Sequence, residues 1–401
     1  MDKSKLVNLF LSIVLCITTL SGCYDNNEIE NFAYVIAIGV DEADLNSFNL
    51  TLQTAVPKSI SGGGEGGGGG GKSTDIISFK TDNFLSGLKK ASQYRSMQIN
   101  LSHTEIIVVS ENIAKRGIIP FLNGLQQNMD IRPNVRIIVT AGEAKEYIES
   151  VQPKLLSNPS KYYELLFKSY ETDFLVPYTQ LEDYLYRAKN YPAQPIAIYT
   201  QVDKAINDKK PSKDDEGKKS DDGESEKSSD KMTIKGLAVF QMDKMVGTLI
   251  PEEATIYTLL TGKNSNLQIE VTDPLDNRFK VLGTVIKENS STTEVKIKNG
   301  KPKISLNLKL NVDVQAVQSD NNYNESDKAE KLKKAYEEYL NKGLKELLSK
   351  VTYEYKSDIF GFGQFAKLNF KTINEWEMAK WHEIFPQSEY EYKIELKIKR
   401  S

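Results

Sequence analysis

The chain has 401 residues, 39% of them hydrophobic, which is more than one ordinary core holds and enough for two or three. Its 52 Lys and Arg nearly balance 55 Asp and Glu, for a formal net charge of −3, so no long-range field of either sign draws in nucleic acid or an anionic surface. Only 2 histidines and 2 cysteines are present, and most metal and acid/base sites draw on these side chains, so zinc or haem chemistry has little to build on.

Lys3 and Lys5 precede an apolar run, Leu6 to Leu20, broken only by Asn8, Ser12 and two threonines. The run is shorter than the roughly 20 residues a membrane-spanning helix needs, and residues 1–22 read as a signal peptide. It closes on Leu20-Ser21-Gly22-Cys23, a lipobox: two small residues fit a narrow peptidase cleft, and the thiol behind them accepts a diacylglycerol. Cys16 falls in the discarded leader, so the mature chain is expected to start at Cys23 with its only thiol lipidated and no disulfide. Two or three acyl chains, at about 0.8 kcal/mol per buried methylene, anchor a protein stably where one does not. The folded part is expected as an ectodomain tethered to the outer face of a membrane.

Asn31 to Asp41 is nearly continuously apolar and rich in β-branched residues, the pattern of a buried strand, and Phe48 to Val56 alternates well enough to pair beside it. A glycine tract follows at 62–72, broken only by Glu65 before Lys72. Gly66 to Ser73 fits the letters of a P-loop, but such a loop needs a helix starting at its Lys-Ser, whereas Ser-Thr-Asp-Ile-Ile-Ser-Phe favours a strand. The tract reads as a hairpin tip without a nucleotide. Thr81 to Met97 is helical, with Phe84, Leu88, Ala91 and Arg95 on one face. Strands at Thr104 to Ser110 and Val135 to Thr140 alternate with helices at Glu111 to Arg116, Ile118 to Gln127 and Gly142 to Val151, as in an α/β domain. Ser160 to Tyr170 and Gln180 to Lys189 read as further helices, and Gln194 to Gln201 as a closing strand. An N-terminal α/β domain over 23–202 results.

Asp208 to Lys231 holds no hydrophobic residue and cannot offset the entropy of ordering, so 203–232 reads as a charged flexible linker dividing the ectodomain. Thr233 to Gln241 and Lys244 to Leu249 form a hairpin around Met242-Asp243, and Pro251 to Leu260 a short helix with proline in its first turn. With the strand Phe279 to Lys287 they make an expected middle α/β domain, 233–288. Strands at Thr293 to Lys298 and Lys303 to Val317 and a helix at Ser326 to Val351 open a C-terminal α/β domain, 289–401. That helix repeats Leu332, Tyr336, Tyr339, Leu340, Leu344, Leu347, Leu348 and Val351 three and four apart. Tyr390 to Lys399 is apolar at every second residue and reads as a half-exposed antiparallel strand. The fold class expected is α/β (α+β), a multi-domain ectodomain with mixed and antiparallel sheets flanked by helices.

His103 and His382 have no second histidine at ligand spacing, no G-x-S-x-G elbow is present, and no carboxylates stand out as a pair. Neither a metal, a cofactor nor a catalytic residue is expected. Tyr162, Tyr163, Tyr184 and Tyr186 sit on helix faces where packing is the default, and without an interleaved basic stripe they do not read as a nucleic-acid surface. Two features are unusual. Asp358 to Phe365 sets two glycines between large aromatics, a tight turn pressing Phe360 and Phe362 inward, and Trp376, Trp381 and Phe385 follow on one helix with Trp381 and Phe385 sharing a face.

In order and spacing, several pieces resemble the Ger(x)C family, the lipoprotein C subunit of spore germinant receptors. They are Cys23 to Ile29 leading into Ala33 to Asp41, His103 to Glu111, Lys235 to Phe240, Asp243 to Gly247, Asp358 to Gly363 and Trp381 to Phe385. The resemblance runs from Cys23 almost to Ser401. This chain has Tyr24 where the family usually has Trp, and Asn26 and Asn27 where it often has basic residues. The glycine tract and the charged linker look like insertions. The resemblance implies a three-part α/β ectodomain on the outer surface of the inner spore membrane, working with a polytopic A subunit and a transporter-like B subunit in germination. It supplies no catalytic residue. The expectation is therefore a membrane-anchored, non-catalytic receptor subunit lipidated at Cys23. Two rivals remain: a solute-binding lipoprotein of an importer, which requires two similar lobes, and a cell-wall hydrolase, which requires a carboxylate pair.

Overall fold

The computed structural model describes residues 31–44, 46–56, 74–127, 130–151, 159–173, 179–189, 192–203, 231–262 and 266–399, with isolated positions 4, 7, 8, 10 and 12. The lipobox, Cys23, the glycine tract and the body of the charged segment lie outside the described residues.

The first sheet grows around a hydrophobic strand, β1 (Phe32–Glu42), eight of whose residues are buried. Parallel to it run β5 (Ile106–Ser110), β6 (Arg136–Thr140) and β7 (Ile196–Asp203), and a short β4 (Gln98–Asn100) pairs with its first residues. Antiparallel strands complete both flanks: β2 (Phe48–Ala55) and β3 (Thr74–Thr81) on one, β8 (Lys231–Gln241) and β9 (Lys244–Leu249) on the other. The order is β3-β2-β1-β5-β6-β7-β8-β9, nine strands with β4. Parallel strands need crossovers, and these cover both faces. Helices α1 (Phe84–Arg95), α2 (Glu111–Arg116), α3 (Ile119–Gln126) and α6 (Leu181–Lys189) bury Phe84, Leu122 and Leu181 against Ile38, Ile107 and Ile137. On the opposite face α4 (Ala144–Ser150) and α5 (Pro159–Asp173) pack Tyr147, Tyr163 and Phe167 against Ile36, Val108 and Ile138, in a core continuous with the rest of the chain.

After α7 (Pro251–Thr261) the second sheet begins. It holds β10 (Asn266–Thr272), β11 (Lys280–Lys287), β12 (Thr292–Lys298), β13 (Lys301–Val317) and β14 (Glu389–Lys399). β11 and β12 pair end to end along one flank of β13, joined to it by a tight turn in which Asn299 and Gly300 both take positive φ, the conformation an Asn-Gly hairpin turn requires. β14 lies along the other flank. The amphipathic helix α8 (Ser326–Ser349) buries Leu332, Tyr336, Leu340, Leu344 and Leu347 on the apolar face of this sheet. Among the described residues no helix is long and apolar enough to cross a membrane.

Several expectations change. Asp203 pairs with Lys231, so the charged segment 203–232 connects neighbouring strands of one sheet and is not a spacer between bodies. Residues 233–288 are shared out: β8 and β9 finish the first sheet, whereas β10 and β11 open the second. The C-terminal strand is parallel to its neighbour, because the helical segment after β13 carries the chain back to the Lys303 end before β14 starts. β4 and β10 were not anticipated. The aromatic helix near the C-terminus is two pieces, α10 (Ile373–Ala379) and α11 (Trp381–Ile384), separated at Lys380 with φ of 46°. The mixed sheet and the second sheet are unlike, so the twin lobes required of an importer's solute-binding protein are missing among the described residues.

Candidate functional site

The glycine-aromatic turn sits where the two sheets meet. Asp358 is fully buried and receives three donors: the backbone N–H of Phe362 at 3.0 Å, that of Gly363 at 2.8 Å, and the Trp381 indole Nε1–H at 2.9 Å. The first two belong to the start of α9 (Phe362–Ala366). Burial raises the Asp358 carboxyl to about 6, against the pull of these donors. Gly361 supplies the left-handed turn at φ of 75°. Gly363 is needed for close approach, since a Cβ there would lie 2.6 Å from the Pro192 carbonyl oxygen and 2.7 Å from the Trp381 nitrogen.

The neighbouring backbone ties the sheets together. The N–H of Gln194 donates to the Asp358 carbonyl, and Arg187 and Tyr257 both donate to that of Ile359. Ser357 donates to the Phe240 carbonyl at 2.6 Å. Tyr355 lies across the β9 hairpin and donates to the Thr248 carbonyl; its ring occupies the space a Cβ on Gly247 would fill. Around this joint the rings of Tyr257, Phe360, Phe362 and Tyr390 stand 5.1 to 6.1 Å apart in sequence of contact. Trp381 and Phe385 do pack together, with ring centroids 5.7 Å apart. Tyr163 and Tyr184 are buried, while Tyr186 is exposed.

Two further aspartates from the recognised segments do the same work as Asp358. Asp41, at the end of β1, accepts from the N–H groups of Ala144 at 2.6 Å and Lys145 at 2.9 Å, the first residues of α4. Burial raises its carboxyl above the ordinary range. Asp243, in the β8–β9 turn, accepts from the N–H of Ile119 at the start of α3. In all three cases a strand end or loop caps a helix far away or close by, satisfying donors a helix start leaves open.

A cleft of about 490 Å³ opens at the carboxyl ends of β1, β5 and β6, walled by Asp41, Glu42, Ser110, Asn112 and Glu143. Its acids, Asp41 and Glu42 on one side and Glu143 and Glu146 on the other, come from two segments far apart in the chain, so no local spacing in the sequence announces it. Among the described residues no three His, Cys, Asp or Glu side chains are placed to hold a metal ion. His103 stacks edge-on against Tyr34, and His382 lies 3.8 Å from Glu383. The residues after the glycine tract form β3, not the helix a P-loop demands.

Residues 25–202 match the family described as spore germination protein N-terminal domain, and residues 235–401 the one described as spore germination B3/GerAC like, C-terminal. The chain belongs to the Ger(x)C family. Spore germination protein KC of Bacillus subtilis (strain 168) is 23% identical, over 98% of this chain and 95% of its own length. Spore germination protein B3 of the same organism is 21% identical over 98% and 96%. The crystal structure of the GerBC protein superposes with a TM-score of 0.53 at 14% identity, over 90% of this chain and 96% of that one, and shares its fold. Among the described residues, the segments that carry the Ger(x)C resemblance form β1, β5, the β8–β9 hairpin and the Asp358 joint with Trp381 and Phe385 beside it. Relatives matched along nearly the whole chain are spore germination proteins, and membership supports a role in spore germination.

Proposed function

We propose that this protein is the lipid-anchored, non-catalytic C subunit of a spore germinant receptor, fixed by acyl chains on Cys23 at the outer face of the inner spore membrane beside the polytopic A and B subunits. The observation that carries the proposal is the end-to-end match to spore germination proteins on a chain that opens with a lipobox. The commitment of Asp41, Asp243 and Asp358 to helix starts supports a role in holding shape and meeting partners. Deleting the gene in its host is expected to abolish nutrient-triggered germination and leave sporulation intact; mutant spores that answer every germinant normally would overturn the reading. Anchoring is tested separately by Cys23→Ala, which moves the protein from the membrane pellet to the soluble fraction, and by mass spectrometry of the mature amino terminus. Retention of the variant in the pellet, or an intact leader, counts against the anchor alone.

A further inference from the structure

β14 is the outermost strand of the second sheet: among the described residues it pairs with β13 alone, over eleven residues from Glu389 to Lys399. Every second backbone N–H and C=O of such a strand points away from its neighbour, open to another strand. Its side chains fall into two rows. Tyr390, Tyr392, Ile394, Leu396 and Ile398 lie on the apolar face opposite Ile304, Leu306, Leu308, Leu310 and Val312. Only Leu396 of this row is buried; the others remain half-covered, as expected where a neighbour is missing on one side. Glu389, Glu391, Lys393, Glu395, Lys397 and Lys399 line the solvent face.

Charged residues on an edge strand ordinarily block pairing. Here their order does the reverse for one partner. Turned antiparallel about Ile394, the strand meets itself with Glu389 opposite Lys399, Glu391 opposite Lys397 and Lys393 opposite Glu395, every pair opposite in sign. The same register sets Tyr390 against Ile398, Tyr392 against Leu396 and Ile394 against itself, closing the half-covered apolar row. A shift by two residues in either direction opposes like charges at one or more positions. We propose that two copies of this chain pair antiparallel along β14, centred on Ile394, so that their second sheets join into one. The contact is isologous, each copy giving the same surface, and a two-fold closes it.

The test uses the full chain, extracted in detergent. Sedimentation should show a reversible dimer at tens of micromolar. Triple variants E389K/E391K/E395K and K393E/K397E/K399E each make the outer row one sign; each alone is expected to self-associate at least tenfold more weakly, while an equimolar mixture recovers the dimer. These positions face solvent on an edge, so both variants should keep the parent circular dichroism. Register is read by cysteine pairs: a mixture of E391C and K397C chains forms a disulfide, because opposed residues of an antiparallel pair stand within disulfide reach, whereas neither variant crosslinks to itself. A monomeric parent chain, a dimer indifferent to the charge triplets, or a mixture that crosslinks no better than its parts overturns the proposal.

Discussion

Asp358 stands at the joint, its backbone carbonyl accepting from Gln194 of the first half and its carboxylate from Phe362, Gly363 and Trp381 of the second, and protonation of that carboxylate has a readable consequence. Its native value of about 6 stands above the ordinary 3.8, so the native state holds the proton more tightly than the unfolded chain. Its contribution is therefore fully favourable below about 4 and is lost as pH rises through 6, for a total on the order of 3 kcal/mol at 1.36 kcal/mol per unit. Between pH 7 and pH 5 this group should add about 1 kcal/mol to the stability of the parent protein. Asp358→Asn lacks that gain, and its amide turns an N–H toward a donor, lowering stability at pH 7 by roughly 1–3 kcal/mol. Urea unfolding of both proteins at the two pH values checks this; a difference between them that does not change with pH removes the assignment. Gly363→Ala, which drives a methyl into the Pro192 carbonyl, should cost about 1–3 kcal/mol by overpacking, read as a lowered urea midpoint with unchanged slope. The oddity of Asp358 to Gly363 was legible in the sequence as glycine between aromatics. That Trp381 would supply the third donor was not, because nothing local links residues 23 apart.

At the scale of elements, strands were legible by which residues they bury, and their directions were not. Glu389–Lys399 alternates as cleanly as any strand in the chain, but alternation reports two faces and is silent on whether the neighbour runs parallel. Lys380 breaks the aromatic helix with no proline or glycine to announce it. β10 was missed although its signal is plain, Leu267, Ile269 and Val271 buried at every second position. The charged segment misled for another reason: composition identifies a stretch that cannot build a core, yet not whether its ends lie far apart or side by side. Asp203 and Lys231 are paired, so the 27 residues between them close a loop inside one sheet. Replacing 204–230 by a four-residue turn should leave the fold intact and raise stability by about 1–2 kcal/mol, the loop-closure entropy saved by the shorter connection. Thermal unfolding measures it. Loss of folding in the shortened protein would mean that the segment supports the sheet by contacts of its own.

At the scale of the molecule, the first core continues into the second, running from Ile36 and Ile138 through Leu237 and Tyr257 to Leu344, Val351 and Trp381. The first family domain ends at residue 202 and the second starts at 235, but the physical boundary does not follow them: β8, which runs into the second domain, and β9, which lies within it, belong to the first sheet. The joint adds Ser357 on Phe240, Tyr355 on Thr248 and Gln194 on Asp358, so each half supplies hydrogen-bond partners the other would otherwise leave buried and unmet. Unfolding one half strips the other of both apolar cover and donors. The full chain is therefore expected to melt in a single transition, with equal calorimetric and van't Hoff enthalpies. A fragment ending at Asp203 loses β8 and β9, bares the β7 edge and uncovers Ile196 and Ile198, and should be found insoluble or unfolded. Asp358→Ala leaves three donors buried without an acceptor at the seam, and should lower the one transition as a whole rather than split it. Two separated heat-capacity peaks in the parent protein, or a well-folded fragment ending at Asp203, would show instead that the halves fold independently and that the seam is only a contact between them.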